Sequence, residues 1–224
     1  MMLSLTVAGC GSIDDPNLAS GSQSSTAKAD DAAPTPTLPP AAANAWRLPW
    51  TCGHVYAVTQ GNHGDICGVL GNHIGVEEFA WDFGLPMRTP ILAARAGVVT
   101  LAANYSPPGS ECHDGCPGAL DSAGHALCCS KCLFSANRVN IQHDDGVVSS
   151  YSHFDELVVQ KGQKVAAGDL LGYSGTSGCS TGPHLHFQVM LGCPTGYCQS
   201  LPIKFEDGGD PICGAKAISQ NACR

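Results

Sequence analysis

From Trp46 onward, the chain carries its apolar residues in short runs that are separated by glycine, proline and asparagine. No long stretch sustains the period of three to four residues that marks an amphipathic helix, whereas several stretches alternate apolar and polar residues as strands do. Residues 138–142 alternate in this way. In residues 79–83 the aromatic side chains would share one face, while Ala80 and Asp82 share the other. The pattern predicts a mainly β domain of short strands.

Glycines mark the connections between these predicted strands. Paired glycines in residues 160–172 predict tight turns, and the final predicted strand covers residues 184–190. We expect residues 46–224 to form one domain of antiparallel strands, arranged as a barrel or sandwich with long loops.

Residues 104–137 interrupt the strand pattern with glycine, serine, proline and a cluster of five cysteines: Cys112, Cys116, Cys128, Cys129 and Cys132. We predict an insertion between two strands that is closed by disulfides. A structural zinc site made of thiolates is the alternative, and the uneven cysteine spacing favours disulfides. Because five is an odd number, at least one bridge would leave the insertion.

Cysteine content and charge narrow the class of protein. The 224 residues include 13 cysteines, which indicates an exported protein in an oxidising compartment. The formal charge is −8, from 11 basic and 19 acidic residues. A protein that binds nucleic acid usually needs a basic face, so we expect no nucleic-acid partner.

The start of the chain predicts an anchor and a tether. Residues 7–10 read VAGC and resemble a lipobox, so residues 1–10 would be a partial signal and Cys10 would be acylated and attached to a membrane. A stray cysteine in a disordered leader is the alternative. Residues 11–45 are rich in serine, alanine, aspartate, threonine and proline, a composition that predicts a disordered tether.

The histidine pair His184 and His186 is the first candidate for chemistry. Residues i and i+2 of a strand point to the same face about 6.5–7 Å apart, so the two imidazoles would lie together while Leu185 and Phe187 face the core. Both rings would bind one metal ion, or one would bind it while the other transfers protons. An ordinary pair of surface histidines is the alternative.

Three further residues strengthen the interpretation of the pair as a site. Asp82 lies on the small-residue face of a predicted strand that is backed by aromatic side chains. His73 precedes it by nine positions in a predicted loop, and His153 would share a strand face with Tyr151.

Four stretches of the sequence together resemble one family. They are residues 73–83 followed by Pro86 and Thr89-Pro90, residues 93–99, residues 151–153, and residues 175–187, which read GTSGCSTGPHLHF. These stretches are similar to the lysostaphin-like, or LytM-type, zinc endopeptidases, which cut the peptides of peptidoglycan. The resemblance implies one Zn²⁺ ion bound by three residues, His73, Asp82 and His186. It also implies two catalytic histidines that do not bind the metal, His153 and His184.

Other positions leave alternatives open. His63 is the rival of His73, because the spacing between the first histidine and the aspartate is longer here than is usual in the family. Cys179 is a possible ligand, but half of a disulfide is the favoured interpretation. Cys193 and Cys198 are close enough in sequence to form a bridge with each other.

These features predict an exported, monomeric zinc endopeptidase that hydrolyses peptidoglycan cross-links in the cell envelope or outside the cell. The alternative is a catalytically inactive module of the same fold that binds peptidoglycan or activates other wall hydrolases. The complete set of five site residues favours an enzyme. A third interpretation is a structural, disulfide-rich lipoprotein whose histidines only resemble a site.

Overall fold

The computed structural model describes residues 45–67, 69–70, 73–109 and 135–223, which all belong to one compact unit, Thr37–Arg224. Within these ranges the secondary structure consists of two 3-10 helices, Asn62–Gly64 and Gly75–Glu77, and thirteen strands. The strands are β1 (Val55–Gln60), β2 (Asp65–Ile66), β3 (Val69–Leu70), β4 (Trp81–Gly84), β5 (Pro90–Leu92), β6 (Gly97–Ala103), β7 (Arg138–Gln142), β8 (Val147–Ser152), β9 (Phe154–Leu157), β10 (Lys164–Val165), β11 (Leu170–Ser174), β12 (Leu185–Leu191) and β13 (Lys216–Ile218). The described part of the chain has no helix that is long and apolar enough to span a membrane.

The strands pair antiparallel in three sheets. The main sheet has eight strands in the order β10-β6-β7-β8-β12-β4-β1-β13, and smaller sheets have the order β5-β11-β9 and β2-β3. The predicted mainly β, antiparallel fold is therefore confirmed. The prediction that the histidine strand is the final one is wrong, because β13 follows it and pairs with β1.

The two faces of the central strands differ in chemistry because the side chains alternate. One face packs into the hydrophobic core, with fully buried side chains from four neighbouring strands: Trp81, Phe83, Val139, Ile141, Tyr151, Leu185, Phe187 and Val189. The opposite face of the same strands carries polar side chains: Asp82, Arg138, Asn140, Ser150, Ser152, His186 and Gln188. The core packing of one face holds the strands in place, and the polar face carries the side chains that can bind a metal ion or transfer protons.

The predicted insertion connects two neighbouring strands of the main sheet. β6 ends at Ala103 and β7 begins at Arg138, and these strands pair with each other. The five cysteines predicted to form disulfides or a zinc site there lie outside the described residues, and so do Cys10 and residues 11–44 of the predicted tether.

Disulfides close both long and short loops. Cys52 is bonded to Cys223 and Cys67 to Cys213, over sequence separations of 171 and 146 residues. The predicted bridge between Cys193 and Cys198 is confirmed. Cys179 is also disulfide-bonded, which confirms the favoured interpretation of this residue.

Candidate metal centre

His73, Asp82 and His186 come together on the polar face of the main sheet. Asp82 lies on β4 and His186 on β12, and the two residues are directly paired in the register of these strands. Asp82 Oδ1 lies 3.0 Å from His186 Nδ1 and 3.3 Å from His73 Nε2. One nitrogen or oxygen atom from each side chain lies within 4.8 Å of the others, which is the spacing of a group that can hold a metal ion.

A folded-back loop brings His73 to this cluster from outside the strands. The 3-10 helix Gly75–Glu77 reverses the chain between His73 and β4, and Gly75 has φ 60°, a left-handed conformation that favours glycine. His73 Nδ1 donates to the carbonyl of Ala80 over 3.0 Å and lies 3.3 Å from the carbonyl of Gly61. These bonds place the ring proton on Nδ1 and direct Nε2 toward Asp82.

The rival histidine, His63, lies outside the cluster. Its Nδ1 is 3.0 Å from Glu78 Oε1 in an exposed pair, and its ring packs edge-on against Phe79. Phe79 itself precedes β4 rather than extending it, so the predicted alternation of residues 79–83 holds only from Trp81 onward. Among the described residues, the group that can hold a metal includes His73 and does not include His63.

Gln188 orients the ring of His186. The Oε1 atom of Gln188 lies 3.0 Å from His186 Nε2, and both side chains project from the same face of β12. Nε2–H donates to this amide oxygen, so the lone pair of a neutral His186 ring is on Nδ1 and faces Asp82. A histidine that ligates a metal typically binds a second partner through its other nitrogen in this way.

The histidines surround the partly buried carboxylate of Asp82. Although burial alone would raise it, the charges of His184 and His73 and the hydrogen bond from His186 hold the pKa of Asp82 well below its usual value. Burial opposes protonation of His186, but the nearby Tyr197 and Asp82 raise its pKa well above the usual value. In this protonated form His186 donates Nδ1–H to Asp82 and Nε2–H to Gln188, and a metal ion bound through Nδ1 would replace the Nδ1 proton.

His184 and His153 lie next to the cluster and to each other. The ring centroids of His153 and His184 are 4.4 Å apart, and His153 lies 6.1 Å from His186. His184 precedes β12 by one residue, and its Nε2 is 3.7 Å from Asp82 Oδ1. Its Nδ1 donates to Gly182 O over 2.8 Å.

The backbone at His153 turns its side chain toward the site. His153 has φ 70°, a conformation that is uncommon for residues other than glycine, and it lies between β8 and β9. Tyr151 packs on the core side, 5.1 Å from the ring of Phe187, whereas His153 contacts His184. The prediction that Tyr151 and His153 share a face is wrong because the left-handed residue interrupts the strand alternation.

His153 is held as a neutral ring. Its Nδ1 donates to Ser177 O over 2.7 Å, which leaves Nε2 without this proton. Burial, together with the charges of His184 and His186, lowers the pKa of His153 to about 3. The ring is therefore uncharged at neutral pH, with one proton on Nδ1 and none on Nε2.

The structure adds three site residues that the sequence analysis missed: Ser177, Gln188 and Tyr197. Gln188 follows His186 by two positions, so strand alternation alone indicated a shared face. Tyr197 lies inside the predicted Cys193–Cys198 loop, but its distance from His186 depends on tertiary packing. Ser177 acts through its backbone carbonyl, for which residue type gives no signal.

Comparison with known proteins finds a family model that matches part of the chain. Residues 122–196 match Peptidase family M23, a range that contains three of the five candidate site residues and lies C-terminal to His73 and Asp82. Peptidoglycan DD-endopeptidase ShyA of Vibrio cholerae is 30% identical over 110 residues, which cover 49% of this chain and 19% of that protein. Lysostaphin of Staphylococcus simulans is 43% identical over 56 residues, covering 25% of this chain and 11% of that protein.

The matched relatives are much longer than the matching region, which spans about a fifth of ShyA. A crystal structure of a zinc containing peptidase from Vibrio cholerae is 23% identical, with a TM-score of 0.43, and the match covers 66% of this chain and 37% of that one. The resemblance to lysostaphin-like peptidases seen in the sequence is confirmed by the match of residues 122–196 to the family model and by the lysostaphin match.

Proposed function

We propose that this chain of peptidase family M23 is a zinc-dependent endopeptidase that hydrolyses peptide bonds in peptidoglycan cross-links. The observation that carries the proposal is the convergence of His73, Asp82 and His186, whose donor atoms lie within 4.8 Å of one another. Two imidazoles and one carboxylate are a donor set that suits Zn²⁺ and is typical of catalytic sites with an open position. The second nitrogen of each histidine faces away from Asp82 and donates to another acceptor: Ala80 O for His73 and Gln188 Oε1 for His186.

The proposed roles divide the cluster into ligands and proton-transfer groups. His73 would ligate through Nε2, His186 through Nδ1 and Asp82 through its carboxylate. Zinc at this position would lower the pKa of a coordinated water toward about 7 and polarise the scissile carbonyl. The neutral metal-binding form of His186 depends on Gln188, which accepts its remaining proton.

His153 and His184 would carry out proton transfer and stabilise charge. The carbonyls of Ser177 and Gly182 accept the Nδ1 proton of each ring, so Nε2 is the atom of each ring that would exchange a proton with the substrate or the attacking water. Together the two rings would accept the proton of the attacking water and stabilise the oxyanion of the tetrahedral state. The two ring centroids are 4.4 Å apart, so both imidazoles would reach the same water molecule and the same substrate carbonyl.

Peptidoglycan is the proposed substrate because of the relatives. ShyA is named as a peptidoglycan DD-endopeptidase, and ALE-1 of Staphylococcus capitis, 31% identical over 123 residues, as a glycyl-glycine endopeptidase. The disulfides of the described residues fit an exported protein. We therefore place the enzyme in the cell envelope or outside the cell, with Cys10 as the proposed membrane anchor.

The proposal is tested with two histidine variants. We expect His186→Ala to lose zinc, because β12 then lacks a ligand, and His153→Ala to keep zinc but lose most activity. Zinc per chain by atomic spectroscopy, together with cleavage of defined wall peptides, measures both effects. Full activity of either variant would overturn the assignment of these residues.

A further inference from the structure

A disulfide-closed loop, residues 193–198, lies over the polar face of the main sheet. Cys193 and Cys198 are bonded to each other across five positions of sequence. The loop begins directly after β12, which carries His186. None of its residues is a proposed ligand or proton-transfer group, so its close attachment to the site has no explanation in the proposed mechanism.

Side chains of the sheet hold the backbone of this loop. Thr100 Oγ1 donates to the carbonyl of Pro194 over 2.6 Å. Asn140 Nδ2 lies 3.4 Å from the same carbonyl and 3.3 Å from that of Gly196, and Arg138 is 3.4 Å from the carbonyl between them. Since these contacts reach three successive carbonyls, they fix the path of the loop.

The fixed loop places Tyr197 beside the metal cluster. The ring centroid of Tyr197 is 6.2 Å from that of His186. The guanidinium of Arg138 lies 4.5 Å over the tyrosine ring, and the phenol oxygen is 2.8 Å from Ser152 Oγ. Ser152 is the partner of His186 in the register of β8 and β12, so the phenol lies next to the ligand strand.

The phenol group has hydrogen-bonding capacity beyond its contact with Ser152. A tyrosine hydroxyl is both a donor and an acceptor, and a bond donated by Ser152 would leave the phenol proton for another acceptor. Tyr197 is 38% exposed, so solvent and ligands reach its side chain. A main-chain carbonyl of a bound peptide is an acceptor of the required kind.

We propose that the Tyr197 hydroxyl donates to a main-chain carbonyl of the bound peptide, and that the Cys193–Cys198 disulfide fixes the position of this hydroxyl. The inference rests on the proposed function and adds a substrate-binding residue to the same site. Its contribution is to ground-state binding, so it affects KM rather than kcat.

Tyr197→Phe tests the hydroxyl because it keeps the ring over which Arg138 lies. We expect KM for a wall peptide to rise about 3- to 10-fold, the range expected for one hydrogen bond, with kcat and zinc content unchanged. The Kd of the same peptide for zinc-loaded protein should rise equally when both proteins also carry His153→Asn, which prevents turnover. Tyr56→Phe, on a tyrosine that packs against Trp50, is the matched control and should leave KM unchanged.

Double substitution of Cys193→Ser and Cys198→Ser tests the disulfide. If the bridge acts through Tyr197, KM rises at least as much as in Tyr197→Phe, and combining all three substitutions gives no further rise. Additive effects of the disulfide and the hydroxyl would overturn the second half of the inference.

The outcomes separate this inference from the proposed function. If zinc-loaded wild-type protein cleaves no wall peptide, both fail. If it cleaves the peptide and Tyr197→Phe leaves KM and Kd unchanged, the inference alone is wrong.

Discussion

At the scale of single residues, the centre depends on which nitrogen of each imidazole carries its proton. Carbonyl acceptors hold the Nδ1 proton of His73, His153 and His184. His186 is the exception, since its Nε2 faces the side chain of Gln188. One amide therefore selects the ligating nitrogen of one proposed ligand.

Replacing Gln188 should change zinc affinity without changing the ligands themselves. Gln188→Met keeps a similar shape but leaves the Nε2 proton of His186 buried without its acceptor, so we expect zinc affinity to fall about 10- to 100-fold. Gln188→Glu restores a stronger acceptor and should bind zinc at least as tightly as the wild type. Competition with a chromogenic chelator measures both; equal affinities of wild type and Gln188→Met would refute the orienting role.

The left-handed backbone at His153 indicates which substitution best tests the catalytic role of this residue. Because asparagine tolerates the left-handed conformation at φ 70°, His153→Asn removes the base with less strain than His153→Ala. We expect zinc binding and the thermal midpoint to stay near wild type, while kcat falls at least about 100-fold. Retention of more than a tenth of the wild-type kcat would argue against a role for His153 in proton transfer.

Residue type predicted which side chains meet at the centre better than it predicted their orientation. Histidine and aspartate stand out as chemistry-bearing residues, and the alternation of β12 correctly placed His186 opposite the core. The orientation of His153 was missed because it depends on one backbone angle. The association of Tyr197 with His186 was missed because it depends on a loop packed against a distant strand.

At the scale of elements, the strands with local patterns were predictable and those with distant partners were not. β7 has the predicted bounds of residues 138–142, since its alternation is visible in five residues. β13 has three residues and pairs with β1, about 160 positions earlier, so no local pattern marks it. Strand order in the main sheet likewise depends on nonlocal pairing.

The turn between β7 and β8 contains a buried histidine outside the metal centre, whose effect is on stability. His143 Nδ1 donates to Ala96 O over 2.8 Å, and Nε2 lies 2.9 Å from Ser149 Oγ. Burial, with a contribution from Arg95, lowers the pKa of His143. The folded protein therefore keeps this ring neutral at a pH where the unfolded chain already binds a proton.

Acidification should thus weaken the fold through His143. Below its unfolded pKa of about 6.5, the unfolded state binds more protons, so the free energy of unfolding falls as pH decreases, by at most about 1.4 kcal/mol per pH unit. His143→Gln removes this titration, and its unfolding free energy should depend less steeply on pH between 7 and 5.5. Urea unfolding at several pH values measures the slopes, and parallel slopes would contradict the assignment.

At the scale of the whole molecule, the disulfides serve different purposes. The cysteine content correctly predicted disulfides, but the partners of Cys52 and Cys67 required the fold, because 171 and 146 positions separate the bonded residues. These two bridges tie β1 and its surroundings to the C-terminal part of the chain. The 193–198 bridge closes a local loop beside the centre.

Loss of the long bridge should therefore mainly lower the free energy of unfolding, whereas loss of the short bridge should mainly raise KM. Cys52→Ser with Cys223→Ser releases a long loop and should lower the free energy of unfolding by about 2–5 kcal/mol, with KM unchanged under folding conditions. Cys193→Ser with Cys198→Ser should cost less stability but raise KM. Denaturant unfolding and peptidase kinetics on both double variants measure the two effects. A larger rise in KM for the Cys52 and Cys223 variant than for the Cys193 and Cys198 variant would contradict the proposed roles of the bridges.

The most direct test of the central claim is mass spectrometry of defined peptidoglycan fragments incubated with the protein. We expect cleavage of a peptide bond in the cross-link, loss of this cleavage after chelation, and recovery on adding one equivalent of zinc. Absence of cleavage by zinc-loaded protein, or cleavage that persists in the chelated protein, would contradict the assignment of His73, Asp82 and His186 as the zinc site of a peptidase.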